Sequence, residues 1–302
     1  MRSASLVLSR MTSISTIATH PGVVVGFQRT QAVFARIVEA ARQGDPRLYQ
    51  ILPLASALTY GVFCLDFEVR WETAVAIVGS ALATQFVCER ICGRPRFDPR
   101  SALISALSLC LLLRTNVLGL AVGTAILAIA SKFDVRVRGK HVFNPTNGAI
   151  VAMMLTTEAV WVSPGQWGSR ALFAFVLASA GALVVNRAAR ADVTWTFLAC
   201  WGALLLGRSV WLGEPLLIPL HRLESGALVL FAFFMISDPK TTPDSRVGRF
   251  LFAALVALGA YAVQFSMFRT NALLWSLAVC SLAVPVIDRL LPGARYQWRT
   301  SP

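Results

Sequence analysis

The strongest constraint on this chain is a series of ten apolar segments. Away from their ends, these segments contain no Asp, Glu, Lys, Arg or His. The chain is 56% hydrophobic and 14% charged, whereas soluble domains carry about 25% charged residues. Long apolar runs of this kind are typical of helices that cross a bilayer. The sequence therefore predicts an all-α polytopic membrane protein with about ten transmembrane helices, near residues 48–65, 71–88, 101–113, 117–131, 144–161, 171–186, 194–211, 225–237, 250–266 and 272–288.

The connecting loops alternate in basic charge. Of the 28 Lys and Arg residues, 22 lie in the two terminal segments and in every second loop, and 6 lie on the other side. Basic loops stay in the cytoplasm, so the split predicts that both termini are cytoplasmic, in a bacterial inner (plasma) membrane. The same rule accounts for the net charge of +13. No basic patch is interleaved with aromatic residues, so we expect the lipid bilayer, and no nucleic acid, as a partner.

The first 47 residues are rich in Arg, Ser and Thr and contain no acid before Glu39. Apolar residues recur at near-helical spacing between Phe27 and Ala41. We interpret residues 1–47 as a cytoplasmic segment with an amphipathic helix on the membrane surface. A transit peptide has a similar composition and is the alternative. We expect residues 48–291 to form the membrane domain and residues 292–302 to form a cytoplasmic tail.

An internal repeat divides the membrane domain. An uncharged run separates Arg100 from Arg114, and another separates Glu224 from Asp238; both spacings are 14 residues, and the runs are offset by 124 residues. As a helix, each run is roughly 20 Å long, too short for a hydrocarbon core of about 30 Å. Short apolar helices of this kind are typical of discontinuous membrane spans.

Each half then contains five segments. Because five is odd, the two halves must be inverted relative to each other in the membrane. The predicted fold is two inverted five-helix repeats, with repeat one at 48–161 and repeat two at 171–291. We expect the short helices Ser101–Leu113 and Ser225–Ser237 to meet near the bilayer midplane.

Hydroxyl and amide side chains are the polar groups that these segments offer to a transport path. Proton relays normally use ionisable residues in the bundle interior, so their absence favours a path lined by carbonyls, hydroxyls and amides. A helix cap alone also explains Asn144 and Pro145. The candidates for a pore or a cofactor site are Ser101, Ser105, Ser108, Asn144, Pro145, Thr146, Asn147, Gly148, Ser225, Gly226, Asn271 and Ser276.

Residues with metal-ligand or catalytic chemistry are sparse. Cys88 and Cys92 share a helix face, but neither a His nor a second Cys pair accompanies them. We interpret the pair as structural and His141 as a loop or interface residue. No nucleotide-binding or metalloprotease motif is present, so we predict no catalytic residue and no metal site.

A polar loop follows the eighth segment. Asp238 and Pro239 end the apolar run, and Lys240, Thr241 and Thr242 come next. These side chains are candidates for holding a phosphate or docking a partner subunit. The alternative is that Asp238-Pro239 only terminates the helix.

Three patches of sequence resemble the RnfD/NqrB family. Residues 140–145, Lys-His-Val-Phe-Asn-Pro, are similar to that family's Phe-Asn-Pro-Ala stretch. Residues 231–239, Phe-Ala-Phe-Phe-Met-Ile-Ser-Asp-Pro, are similar to its Ala-Phe-Phe-x-x-Thr-Asp-Pro stretch, and residues 101–104 precede a Leu-rich short helix as in the family. The resemblance covers roughly 95–291. It implies ten helices in two inverted repeats, like urea transporters, and a membrane subunit of a redox-driven ion pump with other Rnf- or Nqr-type subunits as partners.

The resemblance also implies a flavin. The family attaches FMN covalently to a Thr in a Ser/Thr-Gly-Ala-Thr run, but here Ser225-Gly226-Ala227 is followed by Leu228, which has no hydroxyl to esterify. We therefore expect no covalent FMN. A non-covalent flavin, either FMN or riboflavin, remains open.

Three functions are compatible with these observations. The first is an RnfD/NqrB-like subunit of an electron-transport and ion-translocation system, at most a non-catalytic or flavin-binding part of an oxidoreductase. The second is a stand-alone channel or carrier for a small neutral solute or ion. The third is a membrane anchor or assembly subunit. The Asn-Pro and Asp-Pro patches favour the first, and the missing acceptor Thr favours the other two.

Overall fold

The computed structural model describes residues 45, 47–64, 69–94, 96–163 and 190–297. They include most of one compact unit, Pro46–Trp298, which is the unit described below. The amphipathic helix expected within residues 1–47, the sixth apolar segment and the end of the C-terminal tail lie outside the described residues.

The first half of this unit is a set of five helices joined by short strands. The helices are α1 (Leu48–Cys64), α2 (Trp71–Ile91), α3 (Arg100–Leu112), α4 (Leu118–Asp134) and α5 (Pro145–Thr156). Two antiparallel pairs join them: β1 (Leu113–Thr115) with β4 (Val160–Val162), in the register Arg114 to Trp161, and β2 (Arg136–Val137) with β3 (Lys140–His141).

The described part of the second half is also helical. Its helices are α6 (Ala191–Leu212), α7 (Leu217–Leu223), α8 (Gly226–Leu230), α9 (Arg246–Phe265), α10 (Ala272–Ser281) and α11 (Val284–Leu290). The residues after α8, Phe231–Met235, form a π-helical turn. In this turn the Ile236 amide donates to the Phe231 carbonyl at 3.0 Å. π-Turns inside helices often mark functional positions.

Described helices lie on every predicted apolar segment except 171–186, which is outside the described residues. Three of them, α2, α6 and α9, are long and apolar enough to cross a membrane, and bent pairs raise this number to five. The two bent pairs are α7 with the helix through Met235, at 50°, and α10 with α11, at 47°. The polypeptide is thus largely helical with three to five candidate membrane spans.

Local chemistry explains several helix boundaries. The Asn144 side chain accepts from the Asn147 amide at 3.2 Å, and Pro145 occupies the first turn, so the predicted cap of α5 is confirmed. Asn271 begins α10 in the left-handed region, with φ of 58°, a conformation that Asn tolerates better than most residues. Pro285 explains the break before α11, because its ring would clash with the Ser281 carbonyl in a continuous helix.

Two predicted boundaries are wrong. The tenth segment is not one straight helix but is bent between α10 and α11. The fifth helix ends at Thr156, and the chain continues into strand β4. In addition, helix α7 forms in a loop where the apolar pattern predicts no helix.

Small residues hold the helices together. Helix α2 packs on α4 and helix α6 packs on α9. The first contact contains Ala81, Ala121, Ala125 and Ala128, all fully buried. Without side-chain bulk, helix backbones approach closely, which is how membrane helices gain packing energy. Large apolar side chains such as Trp211 lie instead on the outside, 82% exposed, as expected for a lipid-facing surface.

Candidate functional site

The main polar feature is a cavity of about 410 Å³ at one end of the helices. The C-terminal ends of α2 and α4, the N-terminal ends of α3 and α5, and the end of the π-turn form its walls. Its lining residues are mostly polar or charged: Arg47, Gln50, Gln85, Glu89, Arg94, Asp98, Ser101, Ile104, Ser105, Ser108, Lys132, Phe133, Arg136, Gly139, His141, Asn144, Pro145, Thr146, Phe234, Met235, Asp238 and Lys240.

Asn144 joins the two halves at this cavity. Its side-chain amide donates to the Met235 carbonyl and to an Asp238 carboxylate oxygen, each at 3.4 Å. The two motif patches, which are about 90 residues apart in sequence, therefore meet at one wall of the cavity. Beside them, the Thr146 hydroxyl donates to the Ser105 carbonyl on α3 at 3.4 Å.

A buried lysine contributes to the same cavity. Lys132 is only 5% exposed, and its Nζ donates to the carbonyl oxygen of Ser101 at 2.8 Å and to its hydroxyl at 3.2 Å. The apolar pattern places Lys132 in a loop, but helix α4 continues to Asp134 and carries it into the interior.

Helix α2 likewise extends past the predicted end at residue 88 and buries Gln85 and Glu89. The Gln85 amide donates to Glu89 at 2.7 Å. The expectation that the interior lacks ionisable residues is therefore wrong, because burial continues beyond the apolar runs. The i, i+4 spacing of these two residues was the only signal in the sequence.

Several buried polar atoms at this end have no hydrogen-bond partner among the described residues. They include Oε1 of Gln85 and Nδ1 of His141, both of which belong to cavity-lining residues. Burial and the nearby positive charges lower the pKa of His141 to about 4, so its imidazole is neutral near pH 7. Unpaired buried polar atoms are costly, and a polar ligand in the cavity would satisfy them.

Asn147 and Gly148 lie next to this wall. Asn147 is fully buried, and neither of its side-chain amide atoms has a partner in the described part of the chain. A Cβ on Gly148 would lie 2.9 Å from Cβ of Phe143, so glycine is required for the chain to pack here.

The loop after the π-turn folds around Asp238. The Asp238 carboxylate accepts from the Lys240 amide at 3.0 Å, and burial raises the pKa of this carboxyl. The hydroxyls of Thr241 and Thr242 donate to the Asp238 carbonyl at 3.3 and 3.1 Å, and Arg190 Nε donates to Thr242 at 3.0 Å. Pro239 is buried. Of these residues, Lys240 and Asp238 line the cavity.

A second cavity of about 570 Å³ lies at the opposite end of the short helices. Ser225 and Asn271 line it, with Leu228 and Leu112, in largely apolar surroundings. The candidates therefore divide between two cavities. Gly226 is buried next to this one, whereas Ser276 lines neither and donates to the Val256 carbonyl at 2.7 Å.

The two short helices contribute to both cavities, and Met235 lines each of them. A helical protein with several candidate membrane spans, a broken helix and a polar cavity belongs to the class of multi-pass membrane proteins with an internal site. Residues 155–297 match the NQR2, RnfD, RnfE family. This part of the chain belongs to that family, and the chain is distantly homologous to the RnfD component of the Rnf complex.

Curated relatives support this assignment. The RnfD-type components of ion-translocating oxidoreductase complexes from Shewanella loihica and Alcanivorax borkumensis are 34% identical over 83 residues and 32% identical over 120 residues. These matches cover 28% and 37% of the chain and 24% and 34% of the relatives. The corresponding Cronobacter sakazakii protein is 35% identical over 75 residues, 25% of this chain and 21% of the relative. The aligned segments thus span about a quarter to a third of these relatives.

Proposed function

We propose that the chain is an RnfD/NqrB-like membrane subunit of a redox-driven electron-transport and ion-translocation system. The observation that carries this proposal is the meeting of both family-like motifs at one polar cavity, through the contacts of Asn144 with Met235 and Asp238. Other Rnf- or Nqr-type subunits are the expected partners, since the relatives are named as subunits of such a complex.

The proposed arrangement in the membrane follows the sequence repeat. Ten helices form two inverted five-helix repeats, 48–161 and 171–291, with both termini in the cytoplasm of a bacterial cell. The presence of a helix at each described segment position supports this arrangement, as does the shortness of α3 and of α8 with its π-turn. With this orientation the polar cavity opens to the cytoplasm and the second cavity opens to the outside.

Covalent FMN does not fit the residues present. Leu228 occupies the position of the family's acceptor Thr and lines the second cavity with an aliphatic side chain. No ester can form there, so no step of the proposed function depends on a covalently attached flavin.

A non-covalent flavin, FMN or riboflavin, fits the polar cavity. The volume of about 410 Å³ lies within the range of roughly 300–1,000 Å³ for small-molecule sites. The unpaired Gln85 and His141 atoms offer an acceptor and a ring nitrogen to a heterocycle. A bound flavin supplies one- or two-electron transfer. Ser105, Asn144 and Thr146 would orient it, while Ile104 and Phe234 exclude water from one wall.

A stand-alone channel or carrier is the second candidate function. Met235 lines both cavities, so movement of this one side chain could join them into a path across the protein. Such a path needs no flavin. An anchor or assembly subunit would need neither a flavin nor a path.

The visible absorption spectrum of the purified full chain separates these candidates. A flavin spectrum that is lost on denaturation and filtration supports the proposed redox function. The denatured gel band should show no flavin fluorescence under ultraviolet light, and a bright band would contradict the non-covalent assignment. A colourless protein that conducts a solute in liposomes would instead identify a channel or carrier.

A further inference from the structure

We propose that the polar cavity recognises a phosphate group, so that its ligand is a phosphate monoester rather than a neutral molecule. Arg94, Arg136 and Lys240 form the binding group. This proposal deepens the proposed function, and its flavin part rests on it. A phosphate could be carried by FMN, by an anionic lipid headgroup or by a free ion, and the experiment below separates these sources.

Charge balance in the cavity is the first argument. Five cationic side chains line it, against three carboxylates. The carboxylates are already engaged: Asp98 pairs with Arg47 at 2.6 Å, Glu89 accepts from Gln85 at 2.7 Å, and Asp238 accepts from the Lys240 amide at 3.0 Å. The lining therefore has an excess of positive charge.

The second argument is that the three binding cations have no carboxylate partner. Across the described residues, none of them makes an ion pair within 4.0 Å, although Lys140 and Arg249 nearby do. The guanidinium carbons of Arg94 and Arg136 lie 5.5 and 5.6 Å from the centre of the same ring, that of Phe133. Two guanidinium groups around one ring can close on a single anion from two sides.

Mutual repulsion of these cations supports this interpretation. Burial and the neighbouring Arg94 lower the pKa of Arg136, and burial lowers the pKa of Lys240, with Arg136 adding to it. Holding like charges together without a counter-charge is unfavourable. A dianion between them would remove this cost, and arginine binds phosphate oxygens in a bidentate manner.

The alternative explanation is topological, because basic residues gather at cytoplasmic ends regardless of ligands. Arg90 provides the matched control. It carries the same charge near the same end of α2, but it is exposed, lies 5.0 Å from the Phe86 ring and does not line the cavity. A topological role predicts equal effects of Arg90→Gln and Arg136→Gln, whereas a phosphate site predicts an effect of the second alone.

The test is ligand binding to the full chain in phosphatidylcholine nanodiscs, with FMN, riboflavin and inorganic phosphate as probes. We expect FMN to bind at least about tenfold more tightly than riboflavin, as befits charge-assisted hydrogen bonds, and phosphate to compete with FMN. Arg94→Gln and Arg136→Gln should remove the preference for FMN without changing riboflavin affinity. Arg90→Gln should leave both unchanged, and Arg136→Lys should retain part of the preference.

The outcomes are distinct. Equal affinity for FMN and riboflavin, or equal loss of both in Arg136→Gln, overturns the phosphate site while the proposed function stands. If neither flavin binds but phosphate raises the melting temperature of the wild-type chain and not of Arg136→Gln, the phosphate site stands and the flavin part of the proposed function falls. If phosphatidylglycerol in the nanodiscs abolishes the FMN preference, the lipid headgroup is the source of the phosphate. Binding of none of the three probes overturns both.

Discussion

Replacing Lys140 by Met should destabilise the protein more than any other single charge change among the described ion pairs. Nζ of Lys140 lies 3.0 Å from an Asp244 carboxylate oxygen and 2.6 Å from one of Asp288. The three side chains are only 9%, 11% and 15% exposed, in that order. Asp288 also accepts from the Asp244 amide at 2.8 Å. The cluster joins strand β3 to the loop before α9 and to helix α11.

The magnitude follows from this burial. Removing one partner of a buried ion pair leaves an uncompensated charge, at a cost of about 3–5 kcal/mol. Here two carboxylates lose their cation together, so the upper part of that range applies. The exposed pair of Arg70 and Glu72, 3.7 Å apart and 73% and 43% exposed, is the matched control, and Arg70→Gln should cost at most about 1 kcal/mol.

Thermal unfolding of the purified variants in one detergent measures this difference. Lys140→Met should lower the melting temperature well below that of Arg70→Gln. Adding Asp244→Asn and Asp288→Asn to Lys140→Met should recover much of the loss, because the unpaired charges are then removed. Equal melting temperatures for Lys140→Met and Arg70→Gln, or no recovery in the triple variant, would refute the assignment of a buried charge cluster.

Three further predictions concern orientation, pH and the Asp238 loop. Cysteines introduced at Arg94 and at Glu214 should react with impermeant reagents from the cytoplasmic and the outer side respectively, and labelling of both from one side contradicts the inverted repeat. Since the His141 pKa is about 4 in the folded protein against 6.5 ordinarily, the unfolded chain binds the proton first; stability is complete above pH 6.5 and falls as pH decreases towards 4. His141→Gln should flatten that part of the stability profile, and an unchanged profile argues against the buried neutral imidazole. Lys240→Ala with Thr241→Ala should leave the protein folded, at a cost of about 1 kcal/mol for the lost hydroxyl bond, while reducing FMN binding; undiminished binding leaves the loop with a structural role alone.

Sequence by itself determined the features that depend on neighbouring residues. Apolar runs predict helices, since only helices and closed barrels satisfy the backbone in lipid. The start of α5 could be predicted because Asn144 and Pro145 act on their own helix through a side-chain acceptor and a fixed φ. The shortness of α3 is equally local, as charged Arg100 and Arg114 bound its apolar run.

Tertiary structure alone decided which of these residues share a site. Ser101 and Ser225 occupy equivalent places in the two halves of the sequence, yet they line different cavities. Lys132 enters the interior because the carbonyl and hydroxyl of Ser101, 31 residues away, accept its protons. Lys140 finds Asp288 across 148 residues of sequence. Such pairings depend on how helices pack and on which charges find partners away from water, and no local pattern of residues encodes either.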